Sequence, residues 1–192
     1  MIKNDAPLFG RVITAMVTPF KGSEHEIDYA ALEKLVEHLL ATGTSAIVVA
    51  GTTGESPTLE DSEKKDLLKA TIKLVNGRAK VIMGTGSNIT AKSIKATKEA
   101  EALGADGALV VAPYYNKPSQ AGLLAHFGAV AEASDLPIIM YNIPGRTGIN
   151  MAVETILELA DKYKNIVAVK DSTGNVDQAS DIAAKAPETF RI

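Results

Sequence analysis

Residues 138–174 read IIMYNIPGRTGINMAVETILELADKYKNIVAVKDSTG, and the order of patterns inside this stretch decides the fold class. Ile138–Tyr141 is a continuous apolar run. It breaks into the polar turn Asn142-Ile143-Pro144-Gly145-Arg146-Thr147. Val153, Ile156, Leu157 and Ala160 then recur at helical spacing, and Ile166–Val169 is apolar again until Lys170. A short run without polar alternation is covered on both faces, which is the signature of a parallel strand flanked by helices. The stretch is therefore strand, polar tip, helix, strand, polar tip.

Working outward, the same unit repeats. Val12–Val17, Ala46–Ala50, Val81–Met83 and Ala108–Ala112 are further apolar runs. Between them lie amphipathic patterns with start and stop signals. Leu32, Leu35, Val36, Leu39 and Leu40 follow an Asp28 N-cap and stop at Gly43. Leu68, Ile72 and Val75 follow Thr58-Leu59-Glu60-Asp61, with Gly77 beyond. Thr90 is positioned to cap a helix ending at Gly104, and Ser119 to cap one carrying Leu123, Leu124, Phe127 and Val130. Val176, Ala179, Ile182 and Ala183 supply a last helical face.

Strict strand–helix alternation in units of about thirty residues gives a parallel α/β architecture. Of its two layouts, an open doubly wound sheet carries a glycine-rich dinucleotide loop after the first strand. Thr18-Pro19-Phe20 stands there instead. A closed barrel spreads polar groups over the C-terminal ends of many strands, and that is the pattern here. The expectation is a (β/α)8 TIM barrel, one catalytic domain over residues 1–192. Such a barrel needs eight units and typically ~250 residues. Thr189-Phe190-Arg191-Ile192 reads as the opening of a seventh strand, so the barrel looks truncated there.

Composition narrows the function classes. The chain of 192 residues is 46% hydrophobic and 22% charged, which suits one globular core. Its net charge of −3 with dispersed basic residues gives no nucleic-acid or membrane-surface footprint. With no cysteine, disulfides, thiolate metal sites and a cysteine nucleophile are excluded. No signal-peptide core precedes the first strand, and no apolar run is long enough to span a bilayer. A cytoplasmic protein is expected. His25, His38 and His126 are scattered over loop and helices, so no metal-ligand set is proposed.

The strand tips carry the chemistry. Gly51-Thr52-Thr53-Gly54-Glu55 combines sharp backbone turning with hydroxyls and N–H groups able to hold a small carboxylate, or it is a tight turn bonded to itself. Gly84-Thr85-Gly86-Ser87-Asn88 is a weaker signal of the same type. Pro113-Tyr114-Tyr115-Asn116-Lys117-Pro118 presents two phenols in a rigid loop, which also suits packing at a rim. Tyr141 sits at a strand tip, and Arg146 follows in a Pro-Gly turn, as a carboxylate clamp or a rim ion pair. Lys170 ends an apolar strand. An ammonium there is costly unless paired or functional, and loss of solvent favours the neutral amine that imine formation requires. Taken together, amine, phenols, hydroxyls and guanidinium form one set suited to a keto acid.

Four motifs in register, GTTGES at 51–56, PYYNKPSQ at 113–120, YNIPGRTG at 141–148 and VAVKDSTG at 167–174, resemble the dihydrodipicolinate synthase family. That family lies within the pyruvate-dependent class I aldolase superfamily, which includes N-acetylneuraminate lyase. The resemblance runs over all 192 residues. It implies a lyase of lysine (diaminopimelate) biosynthesis that needs no cofactor and condenses pyruvate with L-aspartate-4-semialdehyde to 4-hydroxy-tetrahydrodipicolinate. Lys170 would form the imine and Tyr141 would act as general acid/base. Thr52 would link Tyr141 to Tyr115 in a proton relay that enters a neighbouring subunit's site. Thr53 would hold the pyruvate carboxylate, and Arg146 the carboxylate of the semialdehyde. A homotetramer built from tight dimers is also implied.

Arg146 and the paired threonines separate this reading from the neuraminate lyases, which lack that arginine and usually carry serine for the first threonine. The family continues with a seventh-strand glycine motif, an eighth strand and a helical C-terminal domain, none of which this sequence contains. An inactive barrel fragment with only an assembly role is the reading from another class. At the family's lysine-effector site Ser56, Asn88 and Tyr114 match. Lys64 and Lys92 stand where lysine-inhibited members have histidine and glutamate, respectively. Two added positive charges repel the ammonium of lysine, so weak or absent feedback inhibition is expected.

Overall fold

The computed structural model describes residues 7–23 and 25–192, and these fall into two compact units. The first comprises the residues up to Gly84 together with Leu103–Asp106. The second comprises Thr85–Ala102 with Gly107–Ile192.

In the first unit the elements run β1 (Ile13–Ala15), β2 (Phe20–Lys21), β3 (Glu26–Ile27), α1 (Tyr29–Ala41), β4 (Ala46–Val49), α2 (Asp61–Val75) and β5 (Lys80–Gly84). β4 pairs in parallel with β1 on one side and β5 on the other, while β2 and β3 form a small antiparallel hairpin. Asp28 caps α1 by accepting from the Ala30 and Ala31 N–H groups at 3.0 Å, and Leu32 and Val36 are its fully buried face. α2 opens with a reciprocal capping box between Glu60 and Glu63, and Asn76 closes it in the left-handed conformation. The first strand is shorter than its apolar run. Val12, Ile13 and Val17 stay exposed, because β1 pairs with β4 alone and is covered less than a central strand.

The second unit contains α3 (Thr90–Ala102), β6 (Gly107–Val111), α4 (Gln120–Ala131), β7 (Ile138–Asn142), α5 (Pro144–Thr147), α6 (Val153–Lys162), β8 (Ile166–Asp171) and α7 (Val176–Lys185). β7 pairs in parallel with both β6 and β8, and every residue of β7 is buried. Phe127 and Leu123 of α4, Ile138 and Met140 of β7, and Ile156 and Leu159 of α6 are its largest buried side chains. Each contributes roughly 1.5–3 kcal/mol on leaving water.

Four local expectations change. Ser93 N–H bonds to the Ile89 carbonyl at 3.1 Å, so Thr90 lies inside the first turn of α3 and does not cap it. Its hydroxyl bonds His126 Nδ1 at 2.9 Å instead. In α6 Ile156 and Ala160 are buried as expected, but Leu159 and not Leu157 joins them, and in α7 only Gln178 and Ile182 are buried. β8 is covered less than its apolar sequence suggests: Ile166 and Val169 are buried, while Val167, Ala168 and Lys170 are half-buried. The reason is its second edge, which makes one parallel bridge, between Ala168 and Arg191. Arg191 N–H donates to the Val167 carbonyl at 3.1 Å and its carbonyl accepts from Val169 N–H at 2.9 Å. That bridge falls where the sequence opens a further strand.

Candidate active site

In the second unit the parallel register sets Tyr141 directly opposite Lys170, and Asn142 opposite Asp171. The Lys170 Nζ lies 4.6 Å from the centroid of the Tyr141 ring. Tyr141 is buried, at 6% exposure, so the amine of the half-buried Lys170 meets an aromatic face. Strand pairing alone brings the two residues together, since side chains of facing residues on one side of a sheet are neighbours.

Arg146 is placed by α5, a single turn that Pro144 starts at its first position and Gly148 closes in the left-handed conformation. The turn is bolted by Thr147, which is 2% exposed. Its hydroxyl lies 3.0 Å from the Ile143 carbonyl and 2.9 Å from that of Ile149, and also accepts from Ile149 N–H at 3.3 Å. The Arg146 side chain is exposed. Tyr115 N–H donates to the Thr147 carbonyl at 3.3 Å, which attaches the two-tyrosine loop to the same turn. Tyr115 itself is 90% exposed and takes a positive φ of 75°, and Lys117 a φ of 45°. A bulky residue in that region is rare and costs about 1 kcal/mol or more. Asn116 Nδ2 holds the loop from the other side by donating to the Asn88 carbonyl at 3.3 Å.

Thr52 and Thr53 belong to the first unit. They sit exposed in the turn that follows β4, after Ala50, whose φ is +50°. Gly51 accepts from Gly54 N–H at 3.1 Å and Ser56 N–H at 3.3 Å, and Thr52 from Glu55 N–H at 3.1 Å. Gly54 lies against the β1 end of the unit, its carbonyl accepting from the Thr18 hydroxyl at 2.7 Å. The turn thus satisfies its own backbone, as the plainer sequence reading has it, and leaves both threonine side chains on its outer surface.

Of the six residues named from sequence, the second unit joins Tyr141 to Lys170 by contact, and Tyr115 to the Arg146 turn by backbone. Thr52 and Thr53 lie together in the first. The sequence reading missed a layer of buried amides beneath the strand tips: Asn142 is fully buried, and Gln178 is 9% exposed. The signal was present, since Asn142 ends a strand otherwise wholly apolar, and a buried amide must find partners. Among the described residues, no group of three or more His, Asp or Glu side chains is placed to share a metal ion.

A family model described as the dihydrodipicolinate synthetase family matches residues 8–192. The chain is 55% identical over 185 residues to the 4-hydroxy-tetrahydrodipicolinate synthase of Thermosynechococcus vestitus, covering 96% of this chain and 62% of that one. It is 56% identical over 184 residues to the protein of the same name from Listeria welshimeri, covering 95% of this chain and 62% of the relative. Among solved structures, dihydrodipicolinate synthase from Cyanidioschyzon merolae, with lysine bound, superposes with a TM-score of 0.94 at 51% identity, over 96% of this chain and 62% of that one. The Aquifex aeolicus synthase gives 0.90 at 50% identity, over 93% and 60%. The chain therefore spans about 62% of the length of the curated relatives it matches.

Proposed function

The chain belongs to the dihydrodipicolinate synthetase family, and we propose on that premise that the protein carrying it condenses pyruvate with L-aspartate-4-semialdehyde. The observation that carries the reading is the Lys170 amine 4.6 Å from the buried Tyr141 ring at paired strand ends. The neutral amine attacks C2 of pyruvate and water leaves, forming an imine. Loss of a proton from C3 gives an enamine, which attacks the aldehyde carbon; the new alkoxide takes up a proton. The amine of the bound semialdehyde then displaces Lys170 from C2. Ring closure releases 4-hydroxy-tetrahydrodipicolinate and regenerates the lysine. No oxidant or reductant enters.

In this scheme Tyr141 moves protons at the imine, and Thr52 and Tyr115 extend the proton path. Thr53 accepts the pyruvate carboxylate into its turn, and Arg146, exposed on the single helical turn Pro144–Thr147, grips the carboxylate of the second substrate with parallel bonds. The described residues supply the first six strand–helix units of a (β/α)8 barrel, and the Ala168–Arg191 bridge supports a seventh strand beside β8. A cytoplasmic homotetramer completes the reading; no described helix is long and apolar enough to cross a membrane. Lys64 and Lys92 favour weak inhibition by lysine. Incubating the complete protein with pyruvate and candidate aldehydes tests the assignment. Aspartate semialdehyde is expected to consume the enamine. Turnover with N-acetylmannosamine in its place would move the protein to the neuraminate-lyase side.

A further inference from the structure

The amides beneath the strand tips close into a ring with one permitted direction. Asn142 Oδ1 accepts from Met151 N–H at 3.1 Å, and its Nδ2 donates to Asn150 Oδ1 at 2.8 Å. Asn150 Nδ2 donates to Gln178 Oε1 at 2.9 Å, and Gln178 Nε2 returns to the Met151 carbonyl at 2.9 Å. Both ends of the circuit are backbone groups of Met151. An N–H can only donate and a carbonyl can only accept, so each amide has a single usable orientation and the ring cannot run backwards. Gln120 of α4 braces it, donating to the Asn150 carbonyl at 2.8 Å and accepting from Ala152 N–H at 3.0 Å and the Thr155 hydroxyl at 2.7 Å.

The members come from the segments that carry the proposed chemistry. Asn142 directly follows Tyr141 on β7. Asn150 and Met151 follow α5, which bears Arg146. Gln178 lies in the first turn of α7, which follows the Lys170 strand. The backbone adds one more tie, Ser172 N–H to the Asn142 carbonyl at 2.9 Å. Asn142 and Gln178 are buried while Asn150 closes the ring from the surface, and a buried amide left half-bonded is costly. A fully bonded ring of amides specifies position more than it adds stability.

We propose that Asn142 is a positioning residue, which clamps the Tyr141, Arg146 and Lys170 segments in one register so that the second substrate meets the enamine correctly aligned. This rests on the reading of Lys170 as the imine-forming residue and deepens it. The pyruvate imine uses Lys170 and its neighbour Tyr141, whose contact is made by strand pairing, and the Thr53 turn proposed for the pyruvate carboxylate contributes no member to the ring. The second substrate also needs Arg146, which reaches that pair through the ring.

Asn142→Asp separates these roles. A carboxylate keeps the acceptor for Met151 N–H but turns a second acceptor toward Asn150 Oδ1. A protonated carboxyl restores the donor. In the complete protein at about pH 8, the variant is expected to raise the KM for aspartate semialdehyde about tenfold and to lower kcat by a similar factor. The KM for pyruvate and borohydride trapping at Lys170 stay within about twofold of the parent. Lowering the pH toward about 5.5 should shrink the deficit relative to the parent as the carboxyl protonates. Equal losses for both substrates with no pH recovery, or no loss at all, overturn the proposal. If Asn142→Asp does not fold, Gln178→Glu breaks the same ring at its far end, by removing the donor to the Met151 carbonyl, and is read by the same criteria. Absence of any adduct in the parent protein would instead sink the imine reading itself.

Discussion

The turn after β4 and the tip of β7 both present polar groups at the C-terminal end of a parallel strand, yet they are held by opposite means. Thr52 and Thr53 ride on a turn fixed by backbone. Ala50 and Gly51 lie so close to Gly84 that a Cβ there would come within 2.2 Å of the Ala50 carbonyl oxygen. Tyr141 is set by its strand register with Lys170, and the segment is then tied down by side chains, through the amide ring that starts at the next residue. The first arrangement is sensitive to any added atom, the second to any lost donor.

The largest effect is expected where the chemistry itself is removed. Lys170→Ala should lower turnover of the complete protein at least about a thousandfold with little change in thermal stability, measured by steady-state kinetics and calorimetry. Next comes the backbone-held region. Gly84→Ala forces a methyl against the Ala50 carbonyl carbon and oxygen, neither of which can swing aside, and should cost at least about 3 kcal/mol in chemical denaturation. A cost under about 1 kcal/mol would show the turn to be softer than described.

A third effect tests the second unit away from the strand tips. His126 is 4% exposed, its Nδ1 bonded to Thr90 and its Nε2 buried without a partner. Burial pushes its imidazole down to about 4 from the ordinary 6.5. Between those values the unfolded chain takes up a proton that the folded chain refuses. This contribution to stability is full above pH 6.5 and is lost as pH falls toward 4, on the order of 3 kcal/mol. Denaturation midpoints measured across that range should fall with pH, and His126→Gln should flatten the slope. The smallest effect belongs to the exposed turn: Thr53→Val should raise the KM for pyruvate about tenfold and leave the denaturation midpoint unchanged. A shift in the midpoint would mean that the hydroxyl serves the turn and not a ligand.

Much of this was legible in the sequence, and the exceptions have physical causes. The apolar runs marked all six parallel strands, because a strand buried on both faces leaves no polar alternation. Asp28 and Ser119 act as caps as their residue types suggest. Thr90 does not, because its hydroxyl has a better partner in His126, a tertiary contact invisible to local pattern. The edges of β1 and β8 are more open than their composition implies, since hydrophobicity reports what a strand can bury and not how many neighbours it has. Among the candidate site residues, Lys170 and Tyr141 stood out as a charged and a phenolic group at strand tips, and Arg146 as a guanidinium in the turn that follows. The amide ring was hidden because its members lie far apart in the chain, and asparagine and glutamine in loops and helix starts usually read as turn formers.

The central claim is that Lys170 forms an imine with pyruvate beside Tyr141. Reduction with borohydride in the presence of pyruvate, followed by peptide mass spectrometry, tests it most directly. The account predicts a reduced pyruvyl adduct on Lys170, none without pyruvate, and none in Lys170→Arg. An adduct on another lysine, or a folded complete protein that stays unmodified, would contradict it.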